Sequence, residues 1–311
     1  MSKPVEPKAD APILLTMGEP AGIGPEIAVV AYKAFGGRIG ARPLRIVGDP
    51  ALFAGVPDVL ATPARATRMP GKPDPKNNDA VTQAVEIAVR ACLACEAAAV
   101  VTAPINKAVL MQSGFAFPGH TEFLGALTGV KRPVMMLASD QLRVVPLTIH
   151  MPISEVPDAI TTASIVETAE ITLEALARDF RIAKPRLAIA GLNPHPGEFG
   201  DEDTRRIAPA VEQLRAKGHD VRGPLPADTL FHEEARKTYD AALCMYHDQA
   251  LIPIKTLSFW DGVNVTLGLP IVRTSPDHGT AFDIAGTGKA DPRSMIAAIK
   301  MAADIADARR A

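Results

Sequence analysis

The sequence predicts an α/β protein of two domains around a cleft, and three observations point there. At 311 residues the chain exceeds what one hydrophobic core ordinarily supports. Short runs rich in Val, Ile and Leu alternate with longer amphipathic stretches, the pattern of a largely parallel sheet covered by helices. The short runs lead into loops containing Gly, Pro, Asn or His, where chemistry sits in such folds.

Taken in order, strands are expected at Ile13 to Thr16, Leu44 to Val47, Ala98 to Val101, Arg186 to Ala190 and Ala241 to Met245. Between them, Asp79 to Cys95, Ala163 to Asp179, Glu202 to Lys217 and Pro292 to Ala308 carry apolar residues at helical spacing. Two β-rich runs within Val134 to Ile149 flank Ser139, Asp140 and Gln141, which predicts an antiparallel hairpin and the crossing into the second domain. The first domain is expected at 1–129 with 270–311 and the second at 130–269. Residues 1–12 lack the apolar stretch of a secretory signal and read as a frayed tail.

Hydrophobic residues make up 47% of the chain, yet no run approaches the roughly 20 apolar residues that span a bilayer. A soluble, cytoplasmic protein is expected. The net charge of -2, with acids and bases interspersed, offers no basic stripe for nucleic acid and no polybasic membrane patch. The expected partner is a small molecule. Cys92 and Cys95 form a C-x-x-C inside a helical stretch with no further ligands at short spacing. They read as two buried small hydrophobes rather than a zinc or redox pair.

Three of the seven histidines follow apolar runs. His150 closes the run Val144 to Ile149, His195 follows Arg186 to Ala190 through Gly191-Leu192-Asn193-Pro194, and His247 follows Ala241 to Met245. Neutral imidazole suits a borderline metal such as zinc, and three ligands leave a position open for a substrate oxygen. Taken singly, a structural hydrogen-bonded histidine is the commoner explanation; their shared strand-end placement raises the joint reading. Asp248 could fix the His247 tautomer, or simply form a turn. His219 and His232 read as solvated surface.

A second constellation could bind a phosphate. Lys255 follows the run Ala250 to Ile254, Asn264 lies between Gly262 and Thr266, and Arg273 ends the run from Leu269. Together they supply a point charge, a neutral donor and a bidentate fork. Gly119-His120-Thr121-Glu122 reads either as an anion-binding helix start or as an ordinary cap. The glycine-rich segment Gly18 to Glu26 matches neither a dinucleotide fingerprint nor a P-loop. His278, Gly279, Thr280 and Asp283 combine flexible backbone with a carboxylate able to accept from a ribose hydroxyl, or else form a helix-capping loop.

The blocks MGEPAGIGPE from Met17, TAPINK from Thr102, GHTE from Gly119, GLNPH from Gly191, GPLPADT from Gly223, MYHDQ from Met245, and GVNVTLGLP with RTSPDHGTA resemble, in order, the 4-hydroxythreonine-4-phosphate dehydrogenase family of pyridoxal-phosphate (vitamin B6) biosynthesis. The resemblance implies an isocitrate/isopropylmalate dehydrogenase-like fold and a homodimer with a shared active site. It implies oxidation and decarboxylation of 4-phosphooxy-L-threonine to 3-amino-2-oxopropyl phosphate with NAD or NADP. It also implies a divalent metal, zinc first and cobalt, manganese or magnesium after it, held by His150, His195 and His247 across the dimer interface. Substrate contacts would fall on His120, Thr121, Lys255, Asn264, Arg273 and Asp228, and cofactor contacts on His278, Gly279, Thr280 and Asp283. No residue is singled out as the general base. The family often continues GLNPH with AGEGG, whereas here Pro196-Gly197-Glu198-Phe199-Gly200 leads into Asp201-Glu202-Asp203 by a shorter loop. That departure bears on substrate fit near His195. Dehydrogenases of phosphorylated threonate or erythronate share the resemblance, and a metal-dependent phosphohydrolase is the rival from another class. A phospho-ligand sensor is the non-enzymatic rival, for which the sequence offers neither a DNA-binding module nor a tail.

Overall fold

The computed structural model describes residues 6–117 and 119–310. The strands in chain order are β1 (Ile13–Thr16), β2 (Arg38–Ile39), β3 (Arg42–Gly48), β4 (Val59–Ala61), β5 (Ala99–Val101), β6 (Val134–Ala138), β7 (Arg143–Pro146), β8 (Arg186–Ala190), β9 (Asp220–Leu225), β10 (Ala241–Cys244), β11 (Val263–Leu267) and β12 (Arg273–Pro276). The chain divides into two compact units, Met1–Pro133 with Val263–Ala311, and Val134–Gly262. The crossings expected at 129/130 and 269/270 therefore stand at 133/134 and 262/263. The difference at the second arises because β11 pairs antiparallel with β12, Asn264 opposite Ser275, and so travels with the first unit.

In the first unit β1 lies parallel to both β3 and β5, and β12 runs parallel to β5. Strands β1, β5 and β12 are buried along their whole length, as strands covered by helices on both faces must be. Helix Asn78–Leu93 packs on β1 and β3, and helix Arg293–Ala308 on β5, β11 and β12. Their buried faces mix small residues, among them Ala80, Ala84, Ala88, Ala298 and Ala302, with larger ones such as Val85, Val89, Met295 and Ile299. Part of the expected tail is docked rather than frayed. The Arg42 guanidinium donates to the carbonyls of Lys8 and Ala11 and pairs with Asp307 at 2.7 Å. Residues 1–5 of that tail lie outside the described residues.

In the second unit β10 is central, parallel to β7 on one side and β8 on the other, with β9 parallel to β8. The hairpin is β6 against β7, Leu137 opposite Val144, closed by the Ser139 hydroxyl, which accepts from the Gln141 and Leu142 amides. Helix Thr162–Asp179 opens on a reciprocal cap between Thr161 and Ser164 and buries Ile165, Ala169, Leu173 and Leu176. The expected helix from Glu202 to Lys217 begins as a wide turn, Asp203–Ile207, and becomes α-helical over Ala208–Ala216. Pro209 has no N–H to offer the Arg205 carbonyl, so the regular ladder cannot run through that point.

Two placements differ from the sequence reading. Lys255 lies inside helix His247–Leu257 rather than beside a strand, because the short apolar run before it is helical despite Pro253. Arg273 opens β12 rather than ending a strand. Gly268, at φ 79, and Pro270, which has no N–H to pair, turn the chain between β11 and β12, so pairing resumes only at Arg273. Cys92 is buried and Cys95 half-buried, both as free thiols, and burial pushes the Cys92 thiol up to about 12.

Candidate metal, substrate and nucleotide sites

The three neighbouring strands β7, β10 and β8 each run into a loop that carries one of the three histidines. His247 is the first residue of helix His247–Leu257, and its Nδ1 lies 2.6 Å from Asp248 Oδ1. A carboxylate can only accept, so this contact puts the imidazole proton on Nδ1 and leaves the Nε2 lone pair for a ligand. His150 and His247 stand with ring centroids 6.1 Å apart and planes inclined at 39°. They border a cavity of about 280 Å³ with Tyr246, Asp248 and Thr148.

His150 and His195 have φ of 31° and 49°, a conformation costly for residues with a Cβ and concentrated at functional sites. The His195 ring is exposed and packs against Phe199 at 6.3 Å. Among the described residues of this single chain, no group of three or more His, Cys, Asp or Glu side chains gathers to hold a metal. The chain thus brings two of the expected imidazoles together and presents the third at a neighbouring strand end. The donor set, with a lone pair fixed on His247, fits a borderline divalent cation.

The His195 loop is anchored by a residue not singled out from the sequence. Asp203 is fully buried, and its carboxylate accepts from the Leu192 and Asn193 amides and from Asn193 Nδ2, at 2.8, 3.2 and 2.9 Å. Its signal was the acidic run after the loop. Asp228 sits exposed in the short helix Ala227–Leu230, beside a groove of about 450 Å³ that also takes in Asp248, Tyr246, Phe231 and Ile252. Lys255 is half-buried in the same unit.

In the first unit the anion-binding candidates converge on Arg273, which is 2% exposed. Nε and Nη2 donate to Thr102 Oγ1 at 3.1 and 2.6 Å, and Nη1 donates to Thr266 Oγ1 and Asn264 Oδ1 at 2.9 and 3.3 Å. Every partner is neutral, and among the described residues no carboxylate pairs with this guanidinium. Burial pulls its pKa down to about 9. A buried cation with only neutral partners is costly to keep, and its charge is balanced when an anion binds.

His120 opens helix His120–Thr128, next to Thr121 in the first turn, and Gly119 supplies no side-chain cap. The His120 Nε2 atom is buried and has no hydrogen-bond partner among the described residues. Burial, and the nearby Arg273 charge, hold the imidazole well below the usual histidine range, so it is neutral near pH 7.

The structure ties together two glycine-rich segments that were read separately. Ile23 N donates to Thr280 O at 2.9 Å, and Glu26 accepts from both Arg68 and the Gly286 amide. A Cβ on Gly22 would stand 2.7 Å from Thr280 O, so only glycine permits this approach. His278 Nδ1 is 3.1 Å from Gly279 O, its Nε2 is buried without a partner, Thr280 is buried, and Asp283 is exposed. Glu19, overlooked in the sequence, is 1% exposed and accepts from Ala21 N, and burial raises its pKa.

Residues 46–302 match the model of the pyridoxal phosphate biosynthetic protein PdxA family. The chain is 52% identical to a 4-hydroxythreonine-4-phosphate dehydrogenase of Paracoccus denitrificans over 324 residues, covering 96% of this chain and 98% of that one. The crystal structure of 4-hydroxythreonine-4-phosphate dehydrogenase from Klebsiella pneumoniae superposes with a TM-score of 0.85 at 37% identity, over 96% of this chain and 100% of the other. A β-decarboxylating dehydrogenase from Thermococcus kodakarensis shares the fold alone, with a TM-score of 0.50 at 16% identity over 91% of this chain and 80% of that one. The chain therefore belongs to the PdxA family of pyridoxal phosphate biosynthetic proteins.

Proposed function

We propose that this protein is an NAD-linked, divalent-metal-dependent dehydrogenase that oxidises and decarboxylates 4-phosphooxy-L-threonine, giving 3-amino-2-oxopropyl phosphate. Family membership supports the reaction type. The observation in this chain that carries the reading is the buried Arg273 guanidinium, held by neutral acceptors beside a neutral His120, which is a receptor awaiting an anionic substrate.

His150, His195 and His247 would hold the cation in a homodimer, a second chain completing a set that one chain does not gather alone. When bound, NAD would take the hydride from the hydroxyl-bearing carbon, and the cation would draw electron density from the oxygen on that carbon. Zinc is the expected ion, with cobalt, manganese or magnesium as alternatives; NADP is the alternative to NAD.

The chain's own groups bind and orient. Arg273 supplies a fixed positive charge with one N–H not taken up by Thr102, Thr266 or Asn264, Asn264 a neutral polar contact and Lys255 a point charge for the phosphate and carboxylate of the substrate. The backbone N–H groups at the start of helix His120–Thr128, with Thr121, offer further donors to an oxyanion. His120 Nε2, neutral and unpartnered, is free to hydrogen-bond a substrate hydroxyl or amine. Oxidation places a carbonyl beta to the carboxylate, and loss of carbon dioxide follows from that placement. Asp228 would be a further substrate contact. The segments around Gly22 and Thr280, with His278, Gly279 and Asp283, would hold the adenosine end of the dinucleotide.

A coupled assay tests the reading. With 4-phosphooxy-L-threonine, NAD and zinc, absorbance at 340 nm should rise with no release of inorganic phosphate. Phosphate release without NADH would establish a phosphohydrolase instead, and faster NADH production from phosphorylated threonate or erythronate would reassign the substrate. In the same assay Arg273→Met should raise KM by about 10- to 150-fold, the worth of one lost charged hydrogen bond, while the variant stays folded.

A further inference from the structure

The histidine-bearing loops of the second unit are joined by hydrogen bonds that no ligand role requires. Beyond the last paired residues of β7, β10 and β8 the backbone ladder thins: Leu147 N still donates to Cys244 O, Thr148 N to Met245 O and Gly191 N to Leu225 O, which leaves the Met245 amide and the Gly191 carbonyl to side chains. Gln249, 8% exposed in helix His247–Leu257, meets two of them at once. Its Oε1 accepts from Met245 N at 2.7 Å, two residues before His247. Its Nε2 donates to Gly191 O at 2.8 Å, the first residue of the loop that carries His195. On the other side, Thr148 Oγ1 donates to Met245 O at 2.7 Å, and Thr148 lies two residues before His150. One carboxamide and one hydroxyl thus link the roots of all three loops. Asp203 secures the next two residues of the His195 loop, so a shift at Gly191 is carried onward rather than absorbed.

We propose that Gln249, seconded by Thr148, is a positioning residue that sets the spacing of the loops bearing His150, His195 and His247, and through it the affinity and geometry of the cation site. This rests on the reading that those three imidazoles hold the cation. Both ends of the amide are used in a fixed sense, acceptor toward Met245 and donor toward Gly191, so the side chain specifies a distance as well as filling space. Leucine fills the volume and loses both bonds. Glutamate keeps the acceptor arm and, as a carboxylate, turns the donor arm into a repulsion against the Gly191 carbonyl.

Cobalt(II) titration of the metal-free, full-length protein tests it. Visible ligand-field bands report coordination, and circular dichroism with thermal unfolding is followed alongside. Wild-type protein is expected to take up cobalt with defined bands, and His247→Ala to take up none. Gln249→Leu and Gln249→Glu should remain folded, bind cobalt about 10- to 100-fold more weakly, and show altered bands. Thr148→Val should weaken binding less, and Thr148→Ser should restore it. A purely structural role lowers the melting temperature and leaves affinity and bands alone. Wild-type cobalt affinity and bands in a folded Gln249→Glu or Gln249→Leu protein would overturn the positioning role while His247→Ala still upholds the metal reading. Absence of cobalt uptake by the wild type would overturn both.

Discussion

At the scale of single residues the chain's least comfortable groups are ionisable ones withdrawn from water without a counter-charge. Arg273 keeps its charge with three neutral side chains for company, and His120 sits close enough to feel that charge. A histidine whose folded-state pKa lies well below its ordinary value of 6.5 binds its proton more readily unfolded than folded. Its contribution to stability is therefore complete above about pH 6.5 and is lost as pH falls from there toward the depressed value. Thermal unfolding between pH 7.5 and 5 should show the wild type losing stability faster than His120→Asn, which has no such proton to gain. Parallel pH profiles for the two proteins would mean that His120 is not held neutral. These residues were visible in the sequence as types and positions: His120 in GHTE and Arg273 after an apolar run. What the sequence withheld was that Thr102 and Thr266 would close around the guanidinium, because Thr102 lies 171 residues away in the chain and Thr266, though only seven residues away, depends on the register of β11 against β12. Glu19 and Asp203 were withheld for a different reason, since acids in a loop or an acidic run ordinarily face water.

At the scale of elements, the regular strands were legible and their exits less so. Expected and observed bounds coincide for β1 and β8, whose apolar runs end at unambiguous Gly-containing turns. Helices were found to within a residue or two wherever the apolar stripe was clean, as at Thr162–Asp179. The apolar run before Lys255 was misplaced because five apolar residues carry no period of their own, and a helix or a strand satisfies them equally. The contact between the Gly22 and Thr280 segments was also beyond sequence reach, although the glycines were noticed. That contact makes a prediction. Gly22→Ala would force a Cβ to 2.7 Å from Thr280 O and must push the two segments apart. Overpacking of this kind costs about 1–3 kcal/mol. Its melting temperature should fall, and its KM for NAD should rise more than its KM for the phosphorylated substrate. An unchanged KM for NAD would remove these segments from the dinucleotide site.

For the whole molecule, α/β units with helices on buried parallel strands place chemistry at strand ends, and the histidine positions follow that rule, whereas Lys255 lies inside a helix and Asn264 inside β11. Among the described residues no helix is long and apolar enough to cross a membrane. The second unit carries all three candidate metal ligands, yet a single chain brings only His150 and His247 into proximity. A second copy completing the set is the part of the proposed function that only the assembled protein can test. The most direct measurement is an anomalous-difference map from a crystal of zinc-loaded protein, recorded at the zinc absorption edge. The account predicts one peak per active site, about 2.0–2.1 Å from ring nitrogens of His150, His195 and His247, with both chains of a dimer contributing. A zinc peak elsewhere, or histidines that never share one, would contradict it.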